Sequence, residues 1–163
     1  MPSKRARDGN EQSAPNYDVE IDADALLADL AEHAAEYGQQ YEDHRRTWED
    51  SFDYATPFYD AKYWMLEAVG GRRAYADTLA RLQADGRFRA RDGTVRVRAL
   101  LRWLGERSEQ TNEARNGDYT DTRQASEAHS AYASIISTLR DEYGVGWPRL
   151  DDLGGSPLEC DLP

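Results

Sequence analysis

Lysine is almost missing from this chain. Twenty of its 163 residues are basic, yet only Lys4 and Lys62 are lysines, so eighteen are arginines. Cysteine occurs once, at Cys160, which excludes an internal disulfide. No apolar run approaches the ~18 residues of a membrane span. The first residues carry no apolar stretch of the secretory kind. Both absences point to a cytoplasmic protein with no membrane partner. Apolar residues are a modest 39% of the chain, so ten tyrosines and four tryptophans must supply much of any core. The length suits one domain and is short for two.

Sites for chemistry are also scarce. The histidines are His33, His44 and His129, and none has His, Cys or carboxylate neighbours at metal-ligand spacing. His44 and His129 fall on apolar seams, where a core histidine is the commoner reading. Cys160 has no basic neighbour to activate it. No phosphate-cradling glycine loop, dinucleotide fingerprint or nucleophile elbow occurs. The expectation is a non-enzymatic protein with no catalytic residue, cofactor or metal.

Acid is abundant: 31 carboxylates give a net charge of −11. Many carboxylates with few lysines suit concentrated salt, where the Debye length shrinks to about 3 Å at 1 M. That suggests a halophilic archaeon, or a virus or plasmid living in one. A GC-rich genome also favours arginine over lysine.

One segment runs against this background. From Arg72 to Arg107 there are ten arginines and four acids, a net of +6. Its centre reads Gly86-Arg87-Phe88-Arg89-Ala90-Arg91-Asp92-Gly93-Thr94-Val95-Arg96-Val97. Asp-Gly is a strong signal for a two-residue hairpin turn. That register sets Ala90 opposite Val95 and Phe88 opposite Val97, with Arg89 opposite Arg96 as a like-charge pair. An alternative makes Thr94 a helix cap and leaves 86–93 as a loop. Upstream, Tyr75, Leu79 and Leu82 have helical spacing. An earlier helix carries Tyr59, Tyr63, Leu66 and Val69, with Gly70-Gly71 as a break between the two. Downstream, Val97, Leu100, Leu101 and Leu104 form an apolar stripe.

The order helix, tight turn, helix, hairpin, helix over roughly 57–104 resembles a winged helix-turn-helix DNA-binding domain. The resemblance implies that the second helix enters the major groove while the hairpin touches the backbone. Gly70-Gly71 is shorter than the usual turn of such units. On this reading Arg72, Arg73 and Arg81 lie on the recognition helix, and Arg87, Arg89, Arg91, Arg96 and Arg98 on or beside the wing.

The rest of the chain frames this segment. Residues 1–20 read as a disordered polar arm, 21–147 as one helical domain and 148–163 as a loop-like tail. Asp22 or Asp24 can cap a long helix over 22–53. Its residues Ala23, Leu27, Leu30, Ala34, Tyr37, Tyr41, His44 and Trp48 follow heptad steps. The basic helix-hairpin-helix occupies 57–115. Asp121 and Gln124 form a capping box for a last helix, 121–143, with Ala125, His129, Tyr132, Ile136, Leu139 and Tyr143 on its seam and Gly144 as its stop. A ~30-residue helix is about 45 Å long, more than a compact domain of this size requires. Leu27, Leu30, Tyr37, Tyr41, Trp48, Tyr132, Ile136 and Leu139 are therefore candidates for a homodimer interface.

The expected fold is mainly α, with long heptad-patterned helices and one short β-hairpin. The expected function is a winged-helix DNA-binding transcriptional regulator that meets DNA through the arginines. The alternative is a structural or assembly subunit, for example of a haloarchaeal virus particle, docking its basic face on an acidic protein surface.

Overall fold

The computed structural model describes residues 14–51, 55–114, 119–149 and 153. Four helices account for most of them: α1 (Ala23–Asp50), α2 (Ala55–Ala84), α3 (Val97–Glu113) and α4 (Tyr119–Asp141). α1 packs on α2, α2 on α4 and α4 on α3. Most of the 1–20 arm and the 148–163 tail, the Asn116-Gly117 break and Cys160 lie outside the described residues, as does the Asp121 side chain of the expected capping box.

α1 starts where its sequence says. The Asp22 carboxylate accepts from the backbone N–H of Asp24 at 2.8 Å and of Ala25 at 3.0 Å, occupying two donors that a helix start leaves open. Ala23, Leu26 and Leu30 are fully buried, Leu27 only partly. Beyond Leu30 no residue of α1 is buried. α4 ends at Asp141, and Gly144 lies just beyond at φ +76°, the left-handed conformation glycine tolerates best.

α2 departs from expectation. The chain runs straight through Gly70-Gly71 in one 30-residue helix, so the two helices of a helix-turn-helix are here a single helix. The glycines are contact points instead of a break. A Cβ on Gly70 would sit 2.1 Å from the Gln124 carbonyl oxygen of α4. One on Gly71 would sit 2.3 Å from the Tyr37 ring of α1. Their missing side chains let two neighbours lie against α2, and that packing outweighs the ~1 kcal/mol per glycine lost in helix propensity. Pro57 falls within the first turn of α2, where a missing N–H removes no helical bond.

The segment between α2 and α3 turns back on itself, but not as a two-stranded ribbon. Among the described residues there is no strand, only two isolated bridges, Arg89 with Val95 and Asp22 with Thr94. Gly93 takes φ +86°, and the turn closes over three residues. The Ala90 carbonyl accepts from Gly93 N–H at 3.1 Å, and Ala90 N–H donates to the Thr94 carbonyl at 2.9 Å. This shifts the register by one from the sequence expectation, so Arg89 faces Val95 and not Arg96. The shift removes a like-charge pair. It also frees Val95 N–H to donate to the Ile21 carbonyl at 2.8 Å, while Ala23 N–H donates to the Gly93 carbonyl at 2.9 Å. The turn is thus tied to the start of α1 and does not project as a wing. Phe88, Val95 and Val97 sink into one core with Leu26, Leu82, Leu100, Leu104, Ile135 and Leu139. Each large side chain buried there contributes about 1.5–3 kcal/mol.

Candidate anion-binding groove

Asp85 lies just past the end of α2 and fixes the start of the turn into α3. Its Oδ1 accepts from Arg87 N–H at 2.9 Å, and both its oxygens accept from the Arg87 guanidinium, the shortest contact at 2.5 Å. These bonds hold its carboxyl well below the usual range, at about 2. Asp92 accepts from the Thr94 hydroxyl at 2.6 Å and from its N–H at 3.0 Å, which also lowers its pKa. Two aspartates therefore brace the turn that delivers Arg87 and Arg96 to the start of α3.

That start is uncapped. Arg96 occupies the N-cap position without a side-chain cap bond. The N–H groups of the first helical turn have no intrahelical carbonyl to meet, and the helix dipole adds about half a positive charge there. A groove of about 700 Å³ opens at this end, walled by Arg87, Arg96, Arg98 and Arg102. Phe88, Val97 and Trp103 form its apolar side, and Asp18 and Glu106 are its acids. The Phe88 and Trp103 rings lie 5.6 Å apart. Tyr17 closes the groove from the N-terminal segment, with the Arg98 guanidinium 4.3 Å from its ring centroid. The Tyr17 hydroxyl also accepts from Arg149 N–H at 2.9 Å.

The expected arginine face divides into groups with different surroundings. Arg87, Arg96 and Arg98 meet at the groove with Arg102, which the sequence reading did not include although its i, i+4 spacing from Arg98 places both on the exposed side of α3. Arg91 is exposed at the turn. Arg89 leans away and pairs with Asp24 at 2.9 Å. Arg81 lies between Asp77 at 3.8 Å and Asp85 at 3.9 Å. Arg72 and Arg73 are exposed near the middle of α2, about 18 Å of helix from its end; Arg73 donates to the Gln124 side chain at 2.9 Å. Among the described residues Arg72, Arg91, Arg96 and Arg102 form no ion pair.

Comparison with family models, with curated proteins and with solved structures finds no match to this chain.

The heptad residues serve mostly inside the chain. Leu30, Tyr132 and Leu139 belong to its core, and Leu27, Tyr37 and Ile136 pack against that core. The Tyr37 hydroxyl donates to Glu127 at 2.8 Å. Tyr41 and Trp48 are half-buried on the distal part of α1. A second feature has no signal in the sequence pattern. Asp77 accepts from the Arg107 guanidinium at 2.8 Å and from the Tyr132 hydroxyl at 3.1 Å, joining α2, α3 and α4. Burial first and the Asp77 charge second push the Tyr132 phenol up to about 12. Among the described residues no group of three or more His, Cys, Asp and Glu side chains could hold a metal ion, and no helix is long and apolar enough to cross a membrane.

Proposed function

We propose that this chain is a non-enzymatic DNA-binding protein of regulatory role, and that it grips phosphate through the groove at the start of α3. The observation that carries the reading is the convergence of Arg87, Arg96, Arg98 and Arg102 on one groove at an uncapped helix start. Oriented N–H groups and guanidinium groups together form a phosphate site. The acidic remainder of the chain repels the polyanion elsewhere and so orients the approach. Arginine in place of lysine fits work at high salt. Counterion release weakens as salt rises, whereas a planar guanidinium keeps its bidentate geometry. The grip proposed here depends on neither a wing nor a separate recognition helix.

The test is fluorescence anisotropy with a labelled DNA duplex, titrated from 50 mM to 1 M KCl. Wild type is expected to bind, and Arg96→Ala/Arg102→Ala to lose at least ten-fold in affinity. Arg81→Ala, whose guanidinium lies between two aspartates, is expected to change affinity less than two-fold. No binding at 50 mM KCl, or equal binding by the double variant, rejects the reading.

The assembly-subunit reading has one observation of its own. Trp64 on α2 is 45% exposed and lies 5.2 Å from the His44 ring of α1, close to the half-buried distal part of α1. Static light scattering distinguishes the two, since an assembly subunit forms higher species without DNA.

A further inference from the structure

A second cavity, of about 550 Å³, opens where α2, α3 and α4 converge, away from the basic groove. Its size falls in the range of small-ligand pockets. Gly70 and Ala74 of α2 and Ala125 and Ala128 of α4 form its apolar wall with Tyr132, while Gln110 and Thr111 of α3 and Gln124 of α4 add polar groups. The void has a structural cause. Gly70 lets α2 lie against α4 at Gln124, and the side chains beside it, Ala74, Ala125 and Ala128, are small.

Two guanidinium groups border the apolar wall, and they differ. Arg107 is committed to Asp77 at 2.8 Å. Arg73 is exposed, and its one polar partner among the described residues is the neutral amide of Gln124, at 2.9 Å. A cation without a carboxylate partner beside a wall of small apolar side chains selects for a ligand of matching polarity. We propose that this cavity binds a small amphiphilic monocarboxylate, with its apolar body against the alanines and its carboxylate on Arg73. The apolar body supplies most of the affinity, because an exposed ion pair adds little; the guanidinium sets the preference for an acid. The proposal is independent of the DNA-binding reading.

Octanoate is the probe and octanol its uncharged counterpart, with the full chain studied by calorimetry and by amide NMR. Saturable octanoate binding is expected, with shifts at Ala74, Ala125 and Ala128, and octanol is expected to bind at least five-fold more weakly. Arg73→Gln should remove that difference while leaving octanol binding intact. Ala128→Phe, or Thr111→Phe on the α3 side should the first not fold, should abolish binding of both. Absence of octanoate binding overturns the proposal. So does an unchanged preference in Arg73→Gln, or undiminished binding in a folded cavity-filling variant.

Discussion

The arginines around Asp77 and two of those around the groove, Arg96 and Arg102, are the same residue type in opposite surroundings. At Asp77, Arg107 is bonded to the carboxylate, Arg81 lies 3.8 Å from it, and Tyr132 adds a hydroxyl bond. Positive charge there is neutralised within the chain and links three helices. At the start of α3, Arg87 is bonded to Asp85 and Arg98 lies over Tyr17, whereas Arg96 and Arg102 have no carboxylate partner among the described residues. Sequence neighbours thus divide into structural and available cations according to what the fold places beside them, and charge counted along the chain does not measure charge offered to a partner.

The sharpest way to break this comparison is to separate the helices that build the Asp77 cluster. Gly70→Val would set a side chain against the Gln124 backbone, and overpacking with no flexible atom to yield is expected to cost about 3 kcal/mol or more; a denaturant titration reads it. Next is Asp77→Ala. It deprives Tyr132 of its hydroxyl partner and Arg107 of its ion, for about 2 kcal/mol by the same measurement. That figure is discounted because Arg107 is 41% exposed and screened by water. Tyr132 sharpens the comparison through pH. Its folded phenol keeps its proton up to about 12, whereas an unfolded tyrosine releases it near 10. The resulting stability is fully present below pH 10 and is lost as pH rises through about 12. Absorbance titration at 295 nm and the unfolding midpoint should both show it, and Asp77→Ala should bring the Tyr132 transition down. The smallest effect is expected at the groove. Arg96→Ala/Arg102→Ala should leave the unfolding free energy within about 0.5 kcal/mol of wild type, while the proposed function expects the same variant to lose DNA affinity.

Three of the helices are legible in the residue pattern alone. The 22–53, Val97–Leu104 and 121–143 patterns correspond to α1, α3 and α4, because a one-sided apolar stripe can be buried in few ways. The Asp22 cap and the Gly144 stop follow from local chemistry and appear where the residues suggest. Gly70-Gly71 misleads for a definable reason. Glycine serves both for turns and for close approach, and the Gln124 and Tyr37 atoms that decide between the two come from elsewhere in the chain. The same limit applies to the turn at Asp92-Gly93. Its residues mark a reversal, but the register is decided by the Ile21 and Ala23 backbone groups, some seventy positions earlier.

The amino-acid order alone determined a mainly helical chain, the capped start of α1 and a cationic segment within an anionic whole. These are short-range properties, carried by side-chain periodicity and capping atoms a few residues apart. Tertiary structure decided that α2 is unbroken, that the turn is anchored to α1, and which arginines keep their charge available. Each of those outcomes depends on atoms distant in sequence coming within a few ångströms, and no local pattern encodes such a meeting.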